Sequence, residues 1–142
     1  MCKFAALTIL ICFVSLSCQS YSTGLQQSVA HADETAATGA LRTIATAQQT
    51  YAISNGGNYG SFQQLSEGGH LDSRFNTENP VMKDYVLSME VGQDSEGPFF
   101  RCKADPTGNG TRAGRHFYID QSRMLRVNGT QPATASDPIA QP

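Results

Sequence analysis

The sequence predicts an α+β fold in which a long N-terminal helix packs on a small antiparallel sheet. Two observations carry this prediction. One long segment has apolar residues at helical spacing, and four short segments nearer the C-terminus alternate apolar and polar residues with local turns between them. Each element has one apolar face to bury, so we expect the two layers to cover each other. A chain of 142 residues is long enough for one such domain.

The N-terminus has the pattern of an export signal. Lys3 is followed by the uncharged run FAALTILICFV, from Phe4 to Val14. This run is too short to cross a hydrocarbon core of roughly 30 Å as a helix, and its length is typical of the apolar region of a signal peptide. We therefore expect residues 1–17 to be a signal peptide. A buried core helix is the alternative.

The tract LSC, which ends at Cys18, resembles the lipobox of bacterial lipoproteins. The resemblance implies that Cys18 carries fatty acyl chains such as palmitate and anchors the mature chain to a membrane. Gln19 is not the aspartate that usually marks inner-membrane retention, so the resemblance implies the outer membrane. Ser15 departs from the lipobox, and Ser15 with Ser17 also suits ordinary signal peptidase. A cleaved, unlipidated periplasmic protein is therefore the alternative.

Residues 18–32 are rich in serine and glutamine, a composition typical of a polar tether. The strongest helix signal follows, from Asp33 to about Ser54. Asp33 and Glu34 would place negative charge in its first turn, where the helix dipole favours it. Asn55-Gly56-Gly57 would end the helix. The residues at helical spacing are Ala37, Ala40, Leu41, Ile44, Ala47 and Tyr51, and the polar Gln48 interrupts this stripe.

The second half of the chain predicts an antiparallel meander. A short helical turn around Phe62 and Leu65 comes first, and a loop then continues to Pro80. The predicted strands are Tyr85–Val91, Phe99–Ala104, Arg115–Asp120 and Met124–Val127, with Gly92–Pro98 as a connection. We expect the domain to comprise residues 33–130 and residues 131–142 to form an extended C-terminal tail.

Two stretches resemble type IV pilins and the pseudopilins of type II secretion. The first is the helix stretch ETAATGALRTIATAQQTYAISNGGNYG, and the second is GRHFYIDQSRMLRVNGTQPATASDP near the C-terminus. In the first stretch the matching residues are Glu34, Ala37, Leu41, Arg42, Thr43, Ile44, Ala47 and Tyr51.

The resemblance implies a pilin-like head that serves as a non-enzymatic interaction or structural module, with pilus or secretion-system proteins as possible partners. An accessory part of a pilus or secretion apparatus is one alternative. The pilin leader, its cleavage site and the long apolar helix have no counterpart in the sequence, which argues against an ordinary filament subunit.

The sequence predicts no metal site and no cofactor. His31, His70 and His116 are far apart, and no Cys or carboxylate cluster accompanies them. The loop from Asp105 to Gly110 has only a faint likeness to a calcium loop and needs no ion as a turn. Charged residues are only 15% of the chain and the net charge is −2, which argues against a nucleic-acid partner.

The sequence also lacks a catalytic signature. Cys102 has no accompanying His or Asn motif, so we interpret it as a buried strand residue. No GxSxG motif is present. A small periplasmic hydrolase is a further alternative, and it would need a cleft near His116 or Ser122.

Overall fold

The computed structural model describes the backbone of residues 2–108 and 114–141, and the side chains of residues 24, 25, 27–108 and 114–141. The elements in chain order are α1 (Cys2–Ser54), α2 (Phe62–Glu67), a 3-10 helix (Ser73–Phe75), β1 (Val81–Met82), β2 (Tyr85–Asp94), β3 (Gly97–Pro106), β4 (His116–Asp120) and β5 (Arg126–Asn128). The chain divides into two compact units, Met1–Ala32 and Asp33–Pro142. Where side chains are described, no helix is long and apolar enough to cross a membrane.

The first unit is helical. The Ser28 hydroxyl donates to the carbonyl of Gly24, at 2.9 Å, and Leu25 and Val29 are exposed, one turn apart. The prediction that the helix begins at Asp33 is wrong, because residues 24–32 are already helical. They contain no proline, and serine and glutamine can continue a helix as well as form a linker. The predicted signal peptide, residues 1–17, and Cys18 lie outside the part of the chain whose side chains are described.

In the second unit, the strands form one five-stranded sheet in the order β1-β2-β3-β4-β5, with every neighbouring pair antiparallel. β2 and β3 pair along their whole length, and only Ser95 and Glu96 connect them. The expected connection over Gly92–Pro98 is therefore too long, since cross-strand pairing extends both strands into it. β1 was not predicted, because two residues carry no readable alternation.

Residues 33–54 of α1 pack on this sheet, so the predicted α+β class is confirmed as one long helix on an antiparallel sheet. The predicted apolar stripe of the helix is confirmed, with Tyr51 partly buried at its end. The helix, the inward face of the sheet and α2 share one core, which includes Leu41, Ile44, Leu65, Leu87, Phe100, Cys102, Phe117 and Ile119. Fully burying one such side chain contributes about 1.5–3 kcal/mol, so this interface is the main source of stability.

The C-terminal tail runs along the outer edge of β5. The N–H of Val127 donates to the carbonyl of Pro138 at 3.0 Å, and the N–H of Ala140 donates to the carbonyl of Leu125 at 2.8 Å. An isolated bridge joins Arg126 to Ile139. The tail therefore covers the edge of the sheet at β5.

Candidate functional site

One edge of the sheet is only partly covered, because β2 is much longer than its neighbour β1. β1 pairs with only the first two residues of β2. The N–H of Leu87 then donates to the carbonyl of Pro80, at 2.8 Å. Beyond Leu87, no described residue pairs with β2 on that side.

The backbone groups of Met89, Val91 and Gln93 lie along this uncovered side. In an antiparallel strand, successive residues direct their N–H and C=O groups to opposite sides, so these three residues point the same way as Leu87 and away from β3. Over residues 2–108 and 114–141, no group hydrogen bonds to the backbone N–H or C=O of these three residues on this side. We call Met89, Val91 and Gln93 the free edge of β2.

An open groove with a volume of about 440 Å³ adjoins the free edge at Met89. Its other walls are the beginning of α2 and the segment that follows the 3-10 helix. Besides the ring of Phe62, these walls carry amides, hydroxyls and one carboxylate, from Ser61, Gln63, Asn76, Thr77 and Glu78. The groove can therefore accept a small or polar side chain that enters beside Met89.

A buried amide holds the groove and the edge in place. The side chain of Gln48, in α1, is fully buried. Its Nε2 donates to the carbonyl of Gly60 at 2.6 Å and lies 3.2 Å from the sulfur of Met89, while its Oε1 accepts the N–H of Gly60 at 2.9 Å. The sequence shows Gln48 only as a polar interruption of an apolar stripe. In the structure its amide contacts two residues, Gly60 through two hydrogen bonds and Met89 through its sulfur.

The start of α2 is fixed by a capping box. The hydroxyl of Ser61 accepts the N–H of Gln64 at 3.2 Å, and the side chain of Gln64 accepts the N–H of Ser61 at 2.8 Å. This reciprocal pair satisfies two backbone donors that the helix leaves open. Phe62 and Leu65 are buried in the core, which anchors α2 as a wall of the groove.

The outer face of the β2–β3 hairpin is covered by an aromatic ring. Phe99 lies over Gly92, where a β-carbon would be only 3.0 Å from the ring, and Phe99 is 8% exposed. The guanidinium of Arg101 lies 4.2 Å from the centre of the same ring. It also lies 3.6 Å from the carboxylate of Glu90 and 3.8 Å from that of Asp94. The hairpin is thus stiffened on the face away from the helix.

Within the second unit, His70 and His116 lie in separate surroundings. His70 lies edge-on to the ring of Tyr51, 5.7 Å away, and Nδ1 of His116 lies 2.5 Å from a carboxylate oxygen of Asp105. His31 is in the first unit. Among the residues that the structure describes, no three His, Cys, Asp or Glu side chains form a group that could hold a metal ion.

The residues expected of a hydrolase are also separated. His116 begins β4 and Ser122 follows the end of that strand, so the strand keeps them apart. The hydroxyl of Ser122 accepts the N–H of Met124. In the predicted loop that begins at Asp105, Asp105 belongs to β3, while residues 109–113 lie outside the described part of the chain.

Cys102 is fully buried in β3, opposite Met89 on one side and Ile119 on the other. Burial raises the pKa of its thiol far above the ordinary value, so the reactive thiolate is strongly disfavoured.

The free edge and the groove were not predicted from the sequence. The free edge results from the difference in length between β2, with ten residues, and β1, with two. A strand of two residues has no recognisable sequence pattern, so this difference could not be read from the sequence. Comparison of the chain with protein-family models, with curated proteins and with solved structures found no match.

Proposed function

We propose that this chain is a non-enzymatic, exported lipoprotein whose pilin-like head acts as an interaction module. Acylated Cys18 anchors it, and the head is displayed in the periplasm or at the outer membrane. The observation that carries the interaction role is the free edge of β2 beside the groove. A long unpaired strand edge invites association and is usually blocked in proteins that do not use it.

A contact between the two pilin-like stretches supports the pilin-like head. Glu34 belongs to the first of these stretches and Arg115 to the second, and their side chains form an ion pair at 2.7 Å. The backbone N–H of Arg115 also donates to Glu34, at 3.2 Å. The carbonyl of Arg115 also accepts a hydrogen bond from the Tyr85 hydroxyl, at 2.9 Å. The pKa of Tyr85 is raised, mainly because its side chain is buried.

The same contact favours a more specific role, as an accessory component of a type IV pilus or type II secretion apparatus. Two of the residues that give the chain its likeness to those systems, Glu34 and Arg115, join the helix to the segment that leads into β4. Copurification of wild-type protein with identified pilus or secretion components, lost when membrane anchoring is lost, would assign this role.

The anchoring is tested by intact mass spectrometry of the protein from the membrane fraction of a Gram-negative host. The expected species begins at Cys18 and carries the added mass of the acyl chains. The control is Cys18→Ala, which we expect to leave the membrane fraction. A wild-type chain that retains residues 1–17 and stays in the cytoplasm would overturn the proposal. An unmodified chain cut near Cys18 would keep the export and remove the lipid.

A further inference from the structure

We propose that the free edge of β2 binds an extended segment of a partner protein, which joins the sheet as an additional antiparallel strand and carries basic residues on its outer face. The inference rests on the proposed function, because it names the surface and the partner chemistry of that same interaction module.

The backbone of the free edge supplies the affinity. Met89, Val91 and Gln93 offer N–H and C=O groups along one line, and a strand laid antiparallel to β2 would hydrogen bond to each of them. This is the pattern by which peptides add to an open sheet edge.

Two other edges of the sheet are protected against strand addition. The tail lies along β5, and β3 carries Pro98 where it extends past β4. Proline has no N–H and blocks strand addition. Between Ser88 and Asp94, β2 contains neither proline nor lysine, so this edge lacks the usual guards against pairing except for its acidic residues.

The groove supplies a pocket for one side chain of the partner. Met89 and Val91 point to the helix side of the sheet, as their partial burial against the core shows. Partner residues opposite them would point the same way. The residue opposite Met89 would therefore enter the groove between α2 and Glu78.

Charge selects a basic partner. The hairpin from Ser88 to Arg101 carries three carboxylates and one guanidinium. Glu90 and Asp94 lie on its outer face, four residues apart, and would each sit opposite an outward residue of the added strand. Opposite charges at such cross-strand positions stabilise pairing and like charges oppose it.

The same charges disfavour a second copy of this chain as the occupant. In a two-fold pairing centred on Val91, each Glu90 would face Gly92 of the other copy. The two Glu90 side chains would then lie on the same outer face at diagonal positions, roughly 7–8 Å apart at the backbone. A lysine or arginine opposite Glu90 has no such conflict.

The hairpin is already ordered for this role. The ring of Phe99 packs over Gly92 on the outer face, with the guanidinium of Arg101 against that ring, and Gln48 contacts Met89 on the inner face. Binding to a preorganised edge loses less conformational entropy than binding to a mobile one.

The test uses the full-length chain in detergent micelles and a fluorescein-labelled, terminally blocked peptide of sequence KVTVKQ, measured by fluorescence polarisation. In antiparallel register the two lysines lie opposite Asp94 and Glu90, and the glutamine lies opposite Met89. We expect saturable binding that weakens about threefold for the Glu90→Gln, Asp94→Asn double variant. Equal or tighter binding of the acidic peptide EVTVEQ would overturn the charge assignment.

Backbone pairing is tested on the peptide, which avoids any effect on folding. N-methylation of the fourth residue, whose N–H would point to Val91, should weaken binding about tenfold or more, since a hydrogen bond is lost and a methyl group is forced into the edge. N-methylation of the third residue, whose N–H points away, should change it less than about twofold. Equal effects of the two would overturn strand addition.

A matched pair of protein variants gives an independent check. Val91→Pro should abolish peptide binding, whereas Val91→Thr keeps the N–H and should bind like wild type. A stable dimer in sedimentation that is lost in Val91→Pro would instead show that a second copy of the chain binds the free edge, and it would overturn the proposal.

The outcomes for this inference and for the proposed anchor are distinguishable. Lipidation of Cys18 without peptide binding would remove only this inference. Peptide binding by a chain unmodified at Cys18 removes only the proposed anchor.

Discussion

Gln48 and Gly60 exchange two hydrogen bonds in the interior of the protein. The N–H of Gly60 donates to Oε1 of Gln48 at 2.9 Å, and Nε2 of Gln48 donates to the carbonyl of Gly60 at 2.6 Å. Gly60 is itself constrained, because a β-carbon there would lie 2.9 Å from the ring of Tyr51. One amide thus fixes α1 to the segment that leads into α2.

Replacing this amide should be costly. Gln48→Leu keeps most of the volume but leaves the N–H and C=O of Gly60 buried without their partner, so we expect a loss of about 2–4 kcal/mol in the free energy of unfolding. Urea denaturation would measure it, with an unchanged slope showing that the denatured state is unaffected.

Gln49→Leu is the matched control for that experiment. Gln49 is the next residue of α1 and is only partly buried, so its replacement should change stability by about 0.5 kcal/mol or less. A similar loss of stability in both variants would show that the Gln48–Gly60 hydrogen bonds contribute no more than an ordinary side chain of α1.

The buried thiol of Cys102 should be unreactive in the native protein. Because burial raises its pKa, we expect iodoacetamide at pH 8 to leave the Cys102 peptide unlabelled until urea unfolds the chain. Mass spectrometry of the digested protein would follow this residue separately from the other cysteines. Full labelling before unfolding would show that β3 opens far more readily than a core strand should.

Acid should weaken the attachment of the tail through Asp137. Hydrogen bonds from the backbone and hydroxyl of Thr134 and from the amide of Asn128 hold the pKa of this carboxyl below its ordinary value. The unfolded chain, with an Asp pKa of about 3.9, therefore takes up the proton first as the pH falls. The stabilisation is complete above that pH and is lost as the pH falls through the lower, folded-state pKa.

Asp137→Asn should accordingly be less stable than wild type at pH 7 and should lose less stability on acidification below about pH 4. Thermal unfolding at a series of pH values would compare the two chains, with Glu67→Gln as a control for removing an exposed carboxylate. Parallel curves for wild type and Asp137→Asn would contradict the role given to this residue.

The elements with a strong local signal were predictable from the sequence. The spacing of Ala37, Leu41 and Ile44 gave the buried face of the helix, and the alternation in β2 gave its inward residues. In both elements, the spacing of apolar residues within a single helix or strand was enough to identify the residues of the core.

Features that depend on distant partners were not predictable. Glu34 was expected to serve the first turn of a helix, but the helix begins earlier and the side chain pairs with Arg115, 81 residues away. The free edge exists only because β1 is shorter than β2, and the groove only because α2 and Glu78 meet beside Met89. The relative lengths of neighbouring strands and the contacts between distant segments produce no periodic pattern in the local sequence.

The tail that runs along β5 limits the number of strands that the sheet can accept from partner molecules. Where the structure describes the chain, Pro138 and Ala140 hydrogen bond along one edge of the sheet and the free edge of β2 lies on the opposite side, so we expect each molecule to bind a single added strand. Growth by repeated head-to-tail addition needs two complementary margins on every subunit. Strand addition to this protein therefore ends after one step, and its complexes should have a one-to-one stoichiometry instead of extending into fibres.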